Sequence, residues 1–390
     1  MRAAIVGGSL GGLHAAALLR DLGVEVDVYE RSPSELVQRG AGIGFLPDAA
    51  RYLAERARVD LDRISVTTSH IRYLDRRSGV IYDGTHRYRF SSWYTVYRQM
   101  LARMDPARYH LGYEMTGWLD GDDAVEVRFA NQASRRVDLL VCADGVASTA
   151  RARVLPEAQP VYSGYVAWRG MVPEASLDQA TRAVVDDAIT YYVYANSHVL
   201  VYPIPGANDS VAPGERLINF VWYRNYLAGS DLDDLLTDRF GQRRDTSLPP
   251  GAVSEHHIAE LHAVASSRLP EPIAHVVRST AQPFLQVVYD IDVPRMAFGR
   301  VCLIGDAAFL VRPHAAAGTA KAAADAWALA DAVARHGSAA AALADWEPGQ
   351  LALGRQLLER TRRIGRRSQF DGNRVPADPE SIFGLRAPGA

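Results

Sequence analysis

The sequence predicts an α/β protein with three parts: a doubly wound parallel-sheet domain split along the chain, a mainly antiparallel β-sheet domain set into it, and a C-terminal helix. Three observations carry this. Residues 2–30 read as one strand–turn–helix–strand unit. Short apolar strands ending in an Asp turn recur at 137–145 and 299–308. Between them, residues 160–290 alternate with period two and are rich in tyrosine and tryptophan. A chain of 390 residues has room for two or three domains.

In order, residues 2–6 form a buried strand, LHAAALLRDLG a helix ending at Gly23, and VEVDVYE (24–30) a period-two strand. IRYLDRRSGVIYDG reads as a hairpin turning at Ser78-Gly79, followed by a helix near 95–104. AITYYVYANSHVLVYPIPG folds back at Asn196-Ser197. TAKAAADAWALADAVARHG is a long helix stopping at Gly337, a last helix covers 346–368, and the Pro/Gly-rich tail is expected to be loose. The expected division is 1–69, 98–160 and 290–340 for the parallel-sheet domain, 70–97 and 161–289 for the antiparallel one, 341–370 for the C-terminal helix and 371–390 for the tail.

A net charge of −2 gives no field to recruit nucleic acid or an anionic membrane. Of the 43 basic residues only Lys321 is lysine. Cys142 and Cys302 sit in apolar strands and read as small core residues, with no CxxC pair to suggest zinc. His256, His257 and His262 have no recognised metal spacing, so no metal is expected. No 18-residue apolar run occurs, and the expected location is the cytoplasm.

Gly7-Gly8-Ser9-Leu10-Gly11-Gly12 follows G-x-G-x-x-G, with Ser9 in the second glycine's place. Gly7 permits the tight turn and Gly12 close helix–strand packing. Serine is the smallest substituted replacement, and its hydroxyl reaches toward a phosphate at the helix N-terminus. Glu30 ends the second strand, where a carboxylate accepts from ribose hydroxyls, so a dinucleotide is expected. Asp144 and Asp306 both follow strands at carboxyl ends, where open α/β sheets bind ligands.

GGSLGG with Glu30, GAGIGFLP (40–47), Arg98, DLLVCADGVASTAR (138–151) and GRVCLIGDAA come in an order similar to the FAD-dependent aromatic hydroxylases, flavoprotein monooxygenases of the para-hydroxybenzoate hydroxylase type. YSGYVAWRG, NSHVLVYPIPG, NFVWYRN and RPHAAAGTAKAAADAW resemble the members that act on hydroxypyridine rings. The resemblance implies a Rossmann-like FAD-binding domain beside a substrate domain. It also implies hydroxylation of an electron-rich ring through a flavin C4a-hydroperoxide, with O2 and transiently docked NADH or NADPH.

By the same resemblance, Gly7, Ser9, Leu10, Gly12, Glu30 and Arg31 meet the adenosine and pyrophosphate, and Arg98 points at the pyrophosphate. Arg39 and Gly40 lie beside the ribityl chain or ring; Asp144 and Asp306 belong to the cofactor site. The helix opened by Gly318, Thr319 and Ala320 aims its N-terminus at the flavin. Pro313 matches a proline at the flavin edge, whereas Phe309 replaces the histidine many members carry.

Period two puts Tyr192 and Tyr194 on one sheet face and Tyr191 on the other; which face meets the substrate is open. Tyr223 and Arg224 are further substrate candidates. The hairpin 189–203 carries no arginine, which favours a heteroaromatic ring over a benzoate, while Arg169 and Arg224 keep a phenol or hydroxybenzoate as the alternative. His314, beside Pro313, and His198, at the hairpin's turn, are the candidate general bases. A second alternative is a flavin-binding sensor that oxygenates nothing. A homodimer is expected.

Overall fold

The computed structural model describes residues 1–36 and 40–390. Its parallel sheet orders strands Ala297–Phe298, Val301–Leu303, Leu139–Cys142, Arg2–Val6, Glu25–Glu30 and Tyr109–Leu111. All neighbours run parallel except the first pair. After Arg2–Val6 the chain winds to one side through Glu25–Glu30, and its other neighbour arrives more than a hundred residues later. The carboxyl ends of Arg2–Val6 and Leu139–Cys142 therefore flank a topological switch point, the crevice where such sheets take ligands. The strands are nearly solid apolar runs buried on both faces, as a helix-covered parallel sheet requires.

Among the described residues the large sheet has nine strands, antiparallel except where Ala188–Tyr194 lies parallel to Val66–Leu74. Gly42–Gly44 forms its edge against Val80–Ser92, so part of the GAGIGFLP segment belongs to this sheet. A meander of Met115–Asp120, Val125–Phe129 and Arg135–Val137 makes the third sheet. One apolar core joins the parallel sheet to the inner face of the large sheet. A second core, containing Trp168 and Trp222, fills the space between the outer face and helices Glu255–Arg268 and Glu271–Arg278.

Two chain-end expectations are corrected. The last helix spans Ala339–Gln369 and starts well before residue 346: the alanine run 339–342 is strongly helix-forming, and Ser338 caps it by accepting from Ala341 N–H at 3.3 Å. The tail is docked: Phe383 and Leu385 are buried, and the buried Arg360 donates to the carbonyls of Glu380, Ile382 and Gly384. No helix among the described residues is long and apolar enough to cross a membrane.

Candidate active site

At the switch point the chain leaves Val6 through Gly7, whose φ of +105° suits only glycine. A Cβ there would stand 2.3 Å from the Ala143 carbonyl oxygen, and one on Gly12 1.9 Å from that of Gly7. The helix Leu10–Asp21 begins directly after Ser9, whose hydroxyl makes no capping bond. Leu10 is buried, so only its backbone N–H is left to face an anion. Glu30, also buried, accepts from Gly8 N–H at 2.8 Å with one oxygen and from Ser32 N–H at 2.9 Å with the other. An ionised carboxylate has about four acceptor positions, which leaves two for ribose hydroxyls. Gly7, Ser9, Glu30, Arg31, Asp144 and Trp93 line one cavity of about 210 Å³ here. Asp144 accepts from the Ser148 hydroxyl at 2.6 Å and from Ala150 N–H at 3.1 Å; burial raises its pKa against these bonds.

A second cavity, of about 320 Å³, shares Trp93 with the first. One side is Gly42–Gly44; the opposite side is Asp306, Pro313 and Ala316–Thr319, the last at the N-terminus of helix Gly318–Arg335. Ala320 follows as a buried residue inside that helix. Gly42 is held from three directions: its N–H donates to Asn219 Oδ1 at 3.0 Å, and its carbonyl accepts from Tyr202 Oη and from Arg169, each at 2.9 Å. A Cβ on Gly42 would meet Asn219 and Tyr202 at 2.8 Å, and one on Gly44 would meet Ala316 at 2.7 Å. Gly40, at φ +79°, would likewise clash with Trp93 at 2.6 Å. A side chain at Gly42 or Gly44 would therefore crowd the lining of this cavity, and one at Gly40 would press on Trp93, which lines both cavities. Burial raises the Asp306 pKa, opposed by the nearby Lys321 ammonium.

Sheet parity decides the substrate candidates. Val221 pairs with Leu200, and Tyr223 with both His198 and Ala167. Leu200, Tyr202, Val221, Tyr223 and Arg169 face the cavity. Tyr192 and Tyr194 lie on the opposite face, at the outer core with Trp222. Arg224, one residue from Tyr223, points to that outer face too and pairs with Glu260 at 2.9 Å. Tyr191 is on the inner face but stacks on Tyr73 at 5.0 Å, away from the cavity lining. Of the five substrate candidates only Tyr223 reaches this cavity.

Arg98 is exposed and ion-paired with Asp209, which also accepts from the Thr95 hydroxyl; it is not among the residues lining the cavity at Gly7 and Glu30. Arg39 lies outside the described residues. Pro313 lines the cavity, but His314 turns away from it, within 2.7 Å of Tyr165 Oη, and its Nδ1 has no partner among the described residues. His198 is no solvated turn residue: Asn196, at φ +59°, makes the turn, and His198 is buried against Ser368 Oγ at 2.8 Å. Both rings pack behind Tyr223, with centroids 4.6 and 4.7 Å away. Burial holds both pKa values well below the usual 6.5, so both are neutral at neutral pH and resist taking a proton.

Sequence reasoning missed Trp93, Asn219, Tyr202, Gln286 and Phe383 as lining or gripping residues. The period-two run NFVWYRN contained the signal for Asn219 once Tyr223 is placed inward. Asp234, His256 and His257 bring ligand-type atoms within 4.8 Å of one another, a proximity their spacing hid. That group lies at the N-terminus of helix Glu255–Arg268, where the helix dipole opposes a cation.

The chain matches the "FAD binding domain-like" family over residues 162–290 and the "FAD binding domain" family over 286–361. It is 38% identical over 385 residues to 2,6-dihydroxypyridine 3-monooxygenase of Paenarthrobacter nicotinovorans, covering 98% of this chain and 96% of that one. It is 30% identical over 380 residues to 3-amino-4-hydroxybenzoate 2-monooxygenase of Streptomyces cremeus, covering 93% and 86%. The structure of 2,6-dihydroxypyridine-3-hydroxylase from Arthrobacter nicotinovorans superposes with a TM-score of 0.93 at 37% identity, covering 99% of this chain and 97% of that one. At 38% identity over nearly its whole length to such an enzyme, the chain belongs to the FAD-binding monooxygenase family.

Proposed function

We propose that this enzyme hydroxylates an electron-rich hydroxypyridine-like ring, using FAD, O2 and NADH or NADPH. The observation that carries the reading is the second cavity. There the Gly42–Gly44 edge, the N-terminus of Gly318–Arg335 and the inner sheet face around Arg169 and Tyr223 meet in one volume. In this reading the adenosine lies against Gly7, Ser9 and Glu30, and the isoalloxazine against Gly42–Gly44, Pro313 and Gly318–Thr319. When bound, FAD supplies the activation of O2 at the expense of NADH or NADPH.

The chain's own residues do the rest. Leu200, Val221 and Tyr223 present an apolar wall that excludes water and orients the ring. Arg169 donates to Gln286 Oε1 at 2.9 Å and to Gly42 O, both neutral acceptors, and no carboxylate pairs with it among the described residues. Its uncompensated charge favours the deprotonated, phenolate-like form of the ring, the form most readily attacked by electrophilic oxygen. The first turn of Gly318–Arg335 adds positive potential worth about 0.3–1 kcal/mol toward an anion. His198 and His314 brace Tyr223, in place of the base role first considered for them.

The domain division given above, a homodimer and a cytoplasmic location belong to the same proposal. The interruption of the parallel sheet by the large sheet supports the first, with one correction: Gly42–Gly44 and the start of Val66–Leu74, inside 1–69, are strands of the large sheet. The exposed Leu227 and Phe240 support an association of copies, and two buried free cysteines suit a reducing compartment.

The test is anaerobic flavin bleaching by NADH and by NADPH, with and without 2,6-dihydroxypyridine and a panel of phenols and hydroxybenzoates. The expected result is bleaching accelerated by the hydroxypyridine, then a hydroxylated product once O2 is admitted. Acceleration by a hydroxybenzoate alone would make Arg169 a carboxylate clamp, the second reading. Bleaching indifferent to every ring would overturn both.

A further inference from the structure

The geometry points to the C-terminal segment as a wall of the reaction cavity, with Phe383 as the residue that limits the size of the ring admitted. This rests on the reading of the cavity given above. Beyond the cavity of about 320 Å³ lies an outer one of about 540 Å³, lined by Phe45, Arg51, His86, Arg87 and the chain's last residues. Among the described residues Phe383 is the one that lines both. Phe383 therefore stands at the boundary between the inner space and the outer, beside the Gly44-Phe45 step of the chain.

The ring is held from several sides. Phe383 N–H donates to Tyr88 Oη at 3.0 Å, and its ring packs on Tyr88 at 4.8 Å and edge-on to Phe90 at 6.4 Å. Phe90 in turn stacks on Tyr202, which grips Gly42. Gly384 N–H donates to the Ala315 carbonyl at 3.2 Å, tying the tail to the segment that leads into helix Gly318–Arg335. Arg360 fixes the flanking carbonyls. A side chain so anchored, 6% exposed, is a rigid boundary rather than a mobile flap.

The experiment compares wild type with Phe383→Ala, Phe383→Leu and Phe383→Trp, all as FAD-loaded full-length chains. For one-ring hydroxypyridines and two-ring hydroxyquinolines it reads dissociation constants, KM, kcat and the fraction of NAD(P)H yielding hydroxylated product. Opening the wall admits water as well as larger rings. Phe383→Ala is therefore expected to gain binding of the two-ring compounds and to raise KM for one-ring compounds roughly tenfold or more. It should also divert turnover to NAD(P)H + H⁺ + O2 → NAD(P)⁺ + H2O2. Phe383→Leu should fall between it and wild type, and Phe383→Trp should tighten the discrimination.

Unchanged ring ranking and product yield in every variant, with only thermal stability altered, would overturn the wall. If wild type hydroxylates no ring, the functional reading fails, and the dissociation constants for one- and two-ring ligands still judge the wall. If Phe383→Ala does not fold, the opposite shifts expected of the Leu and Trp variants decide.

Discussion

Lys321 donates from Nζ to Asp325 Oδ2 at 2.7 Å, one helical turn apart, and both side chains are almost wholly buried. The same oxygen accepts from Gly305 N–H at 2.8 Å, so the pair also fixes the turn that presents Asp306 to the cavity. Burial raises the Asp325 pKa and the ammonium lowers it. Removing one partner leaves the other charge buried and unpaired, at about 3–5 kcal/mol. Lys321→Met is thus expected to lower the unfolding temperature sharply and to loosen FAD. Lys321→Met with Asp325→Leu should recover much of that stability but not the FAD affinity, because the Gly305 turn stays untethered. Thermal unfolding and FAD fluorescence titration of the three proteins check this.

Glycine is required at Gly7 and Gly12 by contact, and at Gly23 by backbone conformation alone. A Cβ on Gly7 or Gly12 meets backbone at 2.3 and 1.9 Å, whereas one on Gly23, at φ +81°, meets nothing within 4 Å. Gly23→Ala should cost about 1–2 kcal/mol of left-handed strain and leave FAD binding intact. Gly7→Ala and Gly12→Ala should abolish FAD retention as the helix is pushed from the strand. Retention of FAD by either would contradict the close approach.

Two arginines test the parity of the large sheet. Arg169 faces the cavity and Arg224 the outer helices. Arg169→Met is expected to lower kcat/KM by roughly 10²–10³, the range for losing one preorganised electrostatic partner. The loss should be largest for rings that bind as anions. Arg224→Met should leave kcat and KM within twofold and cost a fraction of a kcal/mol in stability, as its partner Glu260 is largely exposed. Equal losses in the two variants would mean that the sheet faces are assigned wrongly.

Burial lowers the pKa of His198 and His314 in the folded chain below the unfolded value near 6.5. Below 6.5 the unfolded chain takes up protons that the folded chain refuses, so these groups lower stability there. Their penalty is absent above pH 6.5 and grows as pH falls toward the depressed native values. Unfolding temperature should therefore drop from pH 7 to pH 5, and His198→Gln should show a shallower drop. Parallel profiles for the two proteins would remove His198 from this account.

Much of the frame was legible in the chain because it is local. The glycine turn, the strand–helix–strand unit and Glu30 lie within thirty residues, and turn residues between alternating runs marked the hairpins at Ser78-Gly79 and Asn196-Ser197. Local pattern also showed that Tyr191 and Tyr192 must face opposite ways. It held no information on which way was inward, because both faces of that sheet are buried under apolar packing. The expected helix began at residue 346, although Ser338 and the alanine run after it already offered a cap and a helix-forming start at Ala339.

The amino-acid order by itself determined the dinucleotide turn and its residue types and the recurring strands of the split parallel sheet, since backbone sterics and strand periodicity act between near neighbours. The FAD expectation came from the family resemblance. Only the tertiary structure decided how the second cavity is built. Asn219, Tyr202 and Arg169 grip Gly42 from 127 to 177 residues away, and Phe383 comes to Tyr88 from 295 residues away. Contacts at such separations are set by the packing of whole sheets against one another, and they leave no spacing in the chain to be read.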